Sequence, residues 1–240
     1  MEQLRASGIL LHPTSLPGPD GIGDLGPEAY RWIDFLDRTG TQFWQVLPLG
    51  PTGYGDSPYQ CFSAFAGNPY LISATRLLDQ NFLTKSDLAD RPDFPLEKVD
   101  YGTVIKWKIK ILKQSFEHFR DKKLKKHQEA FTSFKESQKD WLDPFAIFMA
   151  IKADYGNVSW RDWPKAFRER DQETLKTFVR EHKEDIEFQN YLQFIFNEQW
   201  QSLRMYAKEK GIRIIGDIPI FVAYDSADVW ANKALFHLDR

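Results

Sequence analysis

Apolar residues recur at helical spacing after Pro27: Ala29, Trp32, Ile33 and Leu36 form one stripe. Pro27 suits a first helical turn, where no amide hydrogen bond is lost, and Gly40 suits a left-handed cap, so the pattern predicts a helix from about Pro27 to Thr39. The run GILLH ahead of it, at 8–12, and the run FWQVLPL after it, at 43–49, read as strands, the second of them buried. A second helix, from about Asp185 to Lys210, carries Leu192, Ile195, Phe196, Gln199, Leu203 and Tyr206 on one side, ends at Gly211 and leads into the apolar IRIIGDIPIFV. A glycine-capped helix followed by an apolar strand occurs twice, which predicts parallel strands joined by helical crossovers. Gly8 to Leu11, Phe43 to Leu47 and Arg213 to Ile220 are expected to lie side by side.

Between about Thr75 and Glu184 the strand rhythm disappears. Val104, Trp107, Ile111, Leu112 and Phe116 make a helical stripe, and PFAIFMAIKADYG at 144–156 reads as a buried helix. The segment is read as a mostly helical insertion, with Trp141, Trp160 and Trp163 as packing residues. The expected division is therefore 1–74 as the first part of an α/β domain, 75–184 as the insertion and 185–240 as a helix and third strand.

Composition sharpens this picture. With 240 residues, 42% hydrophobic and 15% aromatic, the chain can bury a substantial core. Its 32 basic and 34 acidic side chains leave a net charge of -2, which gives no general attraction for nucleic acid or anionic membrane. The basic run DKKLKKH at 121–127 reads as a solvated helix face or turn. Cys61 is the single cysteine, and the apolar run before His12 and Pro13 is too short for a secretory signal, so a cytoplasmic protein without a membrane span is expected. Five scattered histidines lack the spacing of a zinc site, and neither a metal nor a cofactor is expected.

One motif needs disposal. GIGDLG at 21–26 matches the dinucleotide pattern G-x-G-x-x-G. That pattern works when the glycines form the first turn after a strand and an acidic residue ends the next strand. Here HPTSLPGPD separates the glycines from the apolar run, and the next strand-like run, Val46 to Leu49, has no carboxylate. No phosphate-loop or serine-hydrolase motif is present either.

The candidate chemistry lies after the strands, where parallel α/β folds collect functional groups. Asp217 interrupts the apolar run Ile212 to Val222, so its carboxylate is expected to be buried and partnered, either by a ligand hydroxyl or by an Arg or backbone amides. In GDSPYQ, Asp56 and Ser57 can orient hydroxyl groups, and Tyr59 either lays its ring against the apolar face of a sugar or packs beneath the loop. Gly50, Gly53 and Gly55 leave room for a ligand to approach. His12, Ser57, Tyr59 and Asp217 are expected to converge on one cleft.

Three stretches, RASGILLHPTSLPGPDGIGDLG, FWQVLPLGPTGYGDSPYQCFSAFAGNPYLI and GDIPIFVAYDSADVWAN, closely resemble the 4-alpha-glucanotransferases, also called amylomaltases or disproportionating enzymes. The resemblance runs from about Arg5 to Arg240 and is least specific in the insertion. It implies an α/β fold, the first strands of an interrupted (β/α)8 TIM barrel, and transfer of alpha-1,4-glucan segments to the 4-hydroxyl of an acceptor glucose, maltose or maltodextrin. It also implies a retaining mechanism with an aspartate nucleophile, a glutamate acid/base and a second aspartate that stabilises the distorted sugar. None of the three matches a position in this chain, so it is expected to be the amino-terminal part of a longer enzyme, with no catalytic residue of its own and no activity alone. By family position Asp217 and Tyr59 look like donor-sugar contacts, Tyr54 resembles an aromatic that holds glucan away from the catalytic centre, and GIGDLG becomes part of an active-site rim. An alpha-glucan hydrolase on the same scaffold and a noncatalytic glucan-binding fragment are the alternative readings.

Overall fold

The computed structural model describes residues 5–238 other than Tyr54, Asp56 and Lys123. Three short strands, β1 (Gly8–Leu10), β2 (Phe43–Gln45) and β3 (Arg213–Ile215), form a parallel sheet in the order β1-β2-β3. Ile9 faces Trp44 and Trp44 faces Ile214 in the registers. The pairing and direction follow the sequence reading, but the strands are shorter. Val46 still donates to the Ile215 carbonyl at 3.0 Å, after which Pro48 has no N–H to offer a ladder. Beyond Ile215 the apolar run leaves the sheet, and Ile218, Ile220 and Phe221 are exposed.

Between β1 and β2 lies α1 (Pro27–Arg38), which starts with proline in its first turn and buries Ala29, Ile33 and Leu36. Gly40 follows with φ 69°, and the Thr41 amide reaches back to the Leu36 carbonyl at 3.0 Å, so the chain turns off the helix straight toward β2. The helices α2 (Ala74–Asp79), α3 (Tyr101–Lys122), α4 (Lys125–Asp154), α5 (Lys165–Arg168), α6 (Gln172–Glu181) and α7 (Lys183–Glu209) come next, with α8 (Ala227–Ala231) after β3. Gly211, with φ 72°, ends α7 as Gly40 ends α1. Among the described residues from 75 to 184 there is no strand. The helix read as beginning at Pro144 begins at Lys125, with the proline inside it. Its first turns are mostly exposed and polar, with Phe131 and Leu142 as the buried residues ahead of Pro144, so the apolar period there is faint.

The chain divides into two compact units. The first holds residues 1–49, 68–124 and 195–218; the second holds 50–67, 125–194 and 219–240. In the first, Trp44 of the sheet, Leu25, Ile33, Leu71, Val104, Ile111 and Leu203 are fully buried. In the second, Phe145, Phe148 and Ile151 of α4 pack in one cluster with Trp160, Trp163, Phe178 and Trp230. Trp141 is partly buried against the same cluster, so these tryptophans are packing residues. DKKLKKH spans the junction of α3 and α4, where Asp121, Lys122 and Leu124 to Lys126 are exposed.

Candidate functional site

Because the strands of the first unit are parallel, the segments that follow them leave the sheet at one edge. His12 and Asp217 each stand two residues beyond the last ladder residue, Leu10 and Ile215. The His12 Nδ1 accepts the Thr14 amide at 3.3 Å and lies 2.7 Å from the Thr14 hydroxyl. Its Nε2 lies 3.4 Å from the Pro48 carbonyl, which follows β2. A carbonyl only accepts, so this network selects the neutral imidazole with its proton on Nε2. Burial favours the same state, holding the His12 pKa below its usual value against the opposing pull of the Pro48 carbonyl.

Asp217 differs from its sequence reading. It is half-buried rather than enclosed in a strand, and its Oδ1 accepts the Ile218 amide at 2.8 Å. The difference arises because β3 ends at Ile215, so the chain around Asp217 is no longer sandwiched by neighbours. A groove of about 740 Å³ in this unit runs between residues 14–22 and 91–101, and its lining includes neither His12 nor Asp217.

GIGDLG has another occupation. Its Asp24 and the preceding Asp20 point inward to the buried Lys108 of α3, whose Nζ lies 3.2 Å and 3.4 Å from them and also donates to the Ile72 carbonyl at 2.9 Å. Trp107 Nε1 donates to Asp20 at 3.0 Å, and the Arg91 guanidinium is 3.1 Å away. Burial pushes Asp20 up, but Lys108, Trp107 and Arg91 together outweigh it and hold the carboxyl below its usual range. Burial pushes Asp24 up, and the neighbouring Asp20 charge adds to it, more than Lys108 and the Gly26 amide can reverse. The glycines serve this packing. A Cβ on Gly23 would lie 2.1 Å from the Pro13 carbonyl oxygen, and Gly21 at φ 73° takes the Phe94 ring against its bare face. The signal for the cluster was legible in principle, since Lys108 lies between Val104 and Ile111 on the apolar stripe of α3 and a buried ammonium requires a carboxylate partner.

In the second unit, Ser57 and Tyr59 share one hairpin. An antiparallel bridge joins Thr52 to Cys61, Gly53 donates to the Gln60 carbonyl at 2.6 Å, and the Ser57 hydroxyl accepts the Tyr59 amide at 3.3 Å. Ser57 is half-buried, and Tyr59 is 44% exposed, which sets it apart from a core residue. The other two candidates of this hairpin, Tyr54 and Asp56, lie outside the described residues. Among the described residues no group of three His, Cys, Asp or Glu could hold a metal ion, and no helix is long and apolar enough to cross a membrane.

In the first unit His12 and Asp217 supply ring nitrogens and a carboxylate, and in the second Ser57 and Tyr59 supply a hydroxyl and an exposed ring. The chain is 49% identical over 240 residues to the 4-alpha-glucanotransferase of Thermus thermophilus, covering all of this chain and 47% of that protein. It is 47% identical over 235 residues to the 4-alpha-glucanotransferase of Synechocystis, covering 98% of this chain and 46% of the relative. The solved amylomaltase of Streptococcus agalactiae in complex with acarbose superposes with a TM-score of 0.94 at 41% identity, over 99% of this chain and 48% of that one. The chain thus spans about half the length of the curated relatives it matches. The sequence model of the 4-alpha-glucanotransferases matches residues 11–240, and the chain belongs to that family.

Proposed function

We propose that the protein is a 4-alpha-glucanotransferase that moves a segment of an alpha-1,4-glucan to the 4-hydroxyl of glucose, maltose or a maltodextrin. The observation that carries this reading is the 49% identity to a 4-alpha-glucanotransferase along the entire chain. In a retaining transfer a carboxylate attacks the anomeric carbon while a carboxylic acid protonates the departing glucan oxygen; the acceptor 4-hydroxyl then displaces the carboxylate and returns its proton to the base. The two carboxyl groups stand about 5 to 5.5 Å apart in such enzymes. We assign both to parts of the enzyme outside these 240 residues, and this chain to the first strands of a (β/α)8 barrel and to the binding of the donor sugar. Asp217 accepts sugar hydroxyls, Tyr59 supplies an apolar ring face, and Ser57, Asp56 and His12 orient further hydroxyls. Tyr54 holds the glucan chain farther from the reaction centre.

The test has two arms. In the whole enzyme, Asp217→Ala is expected to cost at least tenfold in kcat/KM, in line with about 1.5 to 3 kcal/mol for a hydrogen bond to a charged group. Tyr59→Phe is expected to cost less than Tyr59→Ala, because the ring is kept. Residues 1–240 alone, incubated with maltotriose, are expected to form neither glucose nor longer maltodextrins. A folded Asp217→Ala enzyme with normal transfer makes Asp217 structural, and disproportionation by the isolated chain places the carboxyl pair within it. Reducing ends accumulating without longer products would identify a hydrolase.

A further inference from the structure

Among the described residues, the hairpin carrying Ser57 and Tyr59 is closed by the Thr52–Cys61 bridge, by Gly53 to Gln60, by the Phe62 amide to the Pro51 carbonyl at 3.0 Å, and by the Gln60 and Tyr59 amides to the Ser57 carbonyl and hydroxyl at 3.1 Å and 3.3 Å. A hairpin of this size is marginal in water, so the direction in which its tip points depends on what holds its base. The base is residues 62–67; Phe62 and Phe65 pack against Phe148 and Trp141, Ala66 is buried in the same cluster, and hydrogen bonds hold the peptide groups. Ala227 of α8 donates to the Phe62 carbonyl at 2.8 Å. The side-chain amide of Gln193, on α7, accepts from the Gly67 amide at 2.7 Å and donates to the Gly67 carbonyl at 3.0 Å. Between these two, the Asp228 carboxylate accepts the Ala64 amide at 2.8 Å with one oxygen and the Ser63 hydroxyl at 3.4 Å with the other. The buried Ser63 oxygen in turn accepts the Phe65 and Ala66 amides at 3.1 Å and 3.4 Å. Asp228 therefore commits both oxygens to the hairpin base, and through Ser63 it orders the next two peptides. Hydrogen bonds to an ionised acceptor are the stronger kind, and here burial pushes the Asp228 carboxyl up while the Ala64 and Ser63 bonds favour the carboxylate against it.

We propose that Asp228 is a positioning residue for glucan binding, holding the base of the 50–67 hairpin so that Tyr59 and Ser57 meet the sugar in a fixed orientation. The proposal rests on the reading of Tyr59 and Ser57 as sugar contacts. It gives Asp228 no contact with substrate, so its removal acts on substrate affinity through Tyr59 and leaves the chemical step alone.

The experiment is a double-mutant cycle in the whole enzyme with maltotriose as the probe, joined to hydrogen exchange at the Ala64, Phe65 and Ala66 amides. Asp228→Ala is expected to speed exchange at these amides at least tenfold while the α3 amides keep their protection. KM for maltotriose is expected to rise about fivefold to tenfold, with kcat changed less than twofold. Tyr59→Ala combined with Asp228→Ala is expected to cost less in KM than the two single effects combined, since a ring that is absent cannot be misplaced and Ser57 alone remains to be displaced. Asp228→Asn, which keeps the size and one acceptor, is expected to recover part of the affinity, and it carries the test by the same readouts if the alanine variant does not fold. Additive KM effects, or a folded variant with faster exchange and unchanged KM, overturn the proposal. If Tyr59→Ala itself leaves KM unchanged, the failure lies instead in the assignment of Tyr59 as a sugar contact.

Discussion

Lys108 carries a charge at a fully buried position, and its worth lies in what its absence would leave behind. Taking an ammonium and two carboxylates out of water costs several kcal/mol per ion, which the attraction among them roughly offsets. Removing the cation leaves Asp20 with Arg91 and Trp107 and Asp24 with only the Gly26 amide, so Lys108→Met is expected to destabilise the fold by about 3 kcal/mol, the lower end for a broken buried pair, in urea unfolding at neutral pH. The two carboxylates are expected to behave oppositely. Asp20 is held below its usual pKa, so its contribution is complete above the ordinary carboxylate value and is lost as pH falls through its lower folded value. Asp20→Asn should therefore flatten the acid limb of the stability profile below about pH 4. Asp24 is held above its usual value, so its protonated form favours folding and that contribution is lost as pH rises through the folded pKa. Asp24→Asn should cost less than Asp20→Asn at pH 7. At this scale the sequence was legible in part. Asp217 stands out because it breaks an apolar run, but the burial expected from that run was not met, because the strand ends at Ile215. Asp228 could not be picked out, because its role is to bind the main chain at Ala64, far away in sequence and without a side-chain signature.

The elements were most legible where glycine closes a helix. Gly40 and Gly211 both adopt positive φ, and both follow amphipathic stripes that bury one face. Gly23 is held by a different requirement, close approach rather than backbone hand. The two kinds separate by experiment. A Cβ on Gly211 meets nothing within 4 Å, so Gly211→Ala is expected to cost only the left-handed conformation, about 1 to 2 kcal/mol in urea unfolding. A Cβ on Gly23 would press into the Pro13 and Leu16 backbone at 2.1 Å and 2.5 Å, neither of which can swing aside, so Gly23→Ala is expected to cost more than Gly211→Ala. Strand length was harder to read than helix ends. Apolar character continues past Gln45 and Ile215, but the ladder stops where prolines and glycine interrupt pairing. The start of α4 was hidden for the opposite reason, since a helix exposed on most sides shows almost no apolar period.

At the scale of the whole chain, local pattern predicted the sheet and its direction, because strand order follows from handed crossovers, but said little about how distant segments share a unit. The residues after β3 are the clearest surface feature, with Ile220 88% and Phe221 84% exposed. Neighbouring exposed apolar side chains promote association, so the isolated chain is expected to scatter light increasingly with concentration, and Ile220→Lys with Phe221→Lys to reduce this without lowering the unfolding midpoint. Each compact unit is assembled from three separated stretches of chain, and β2 receives its second neighbour only when residues 213–215 arrive. On a ribosome adding about 5 to 20 residues per second, that interval lasts on the order of ten seconds. Until then the open edge of β2 has no native partner to pair with, so the nascent protein is exposed to chaperones and to wrong pairings throughout that interval.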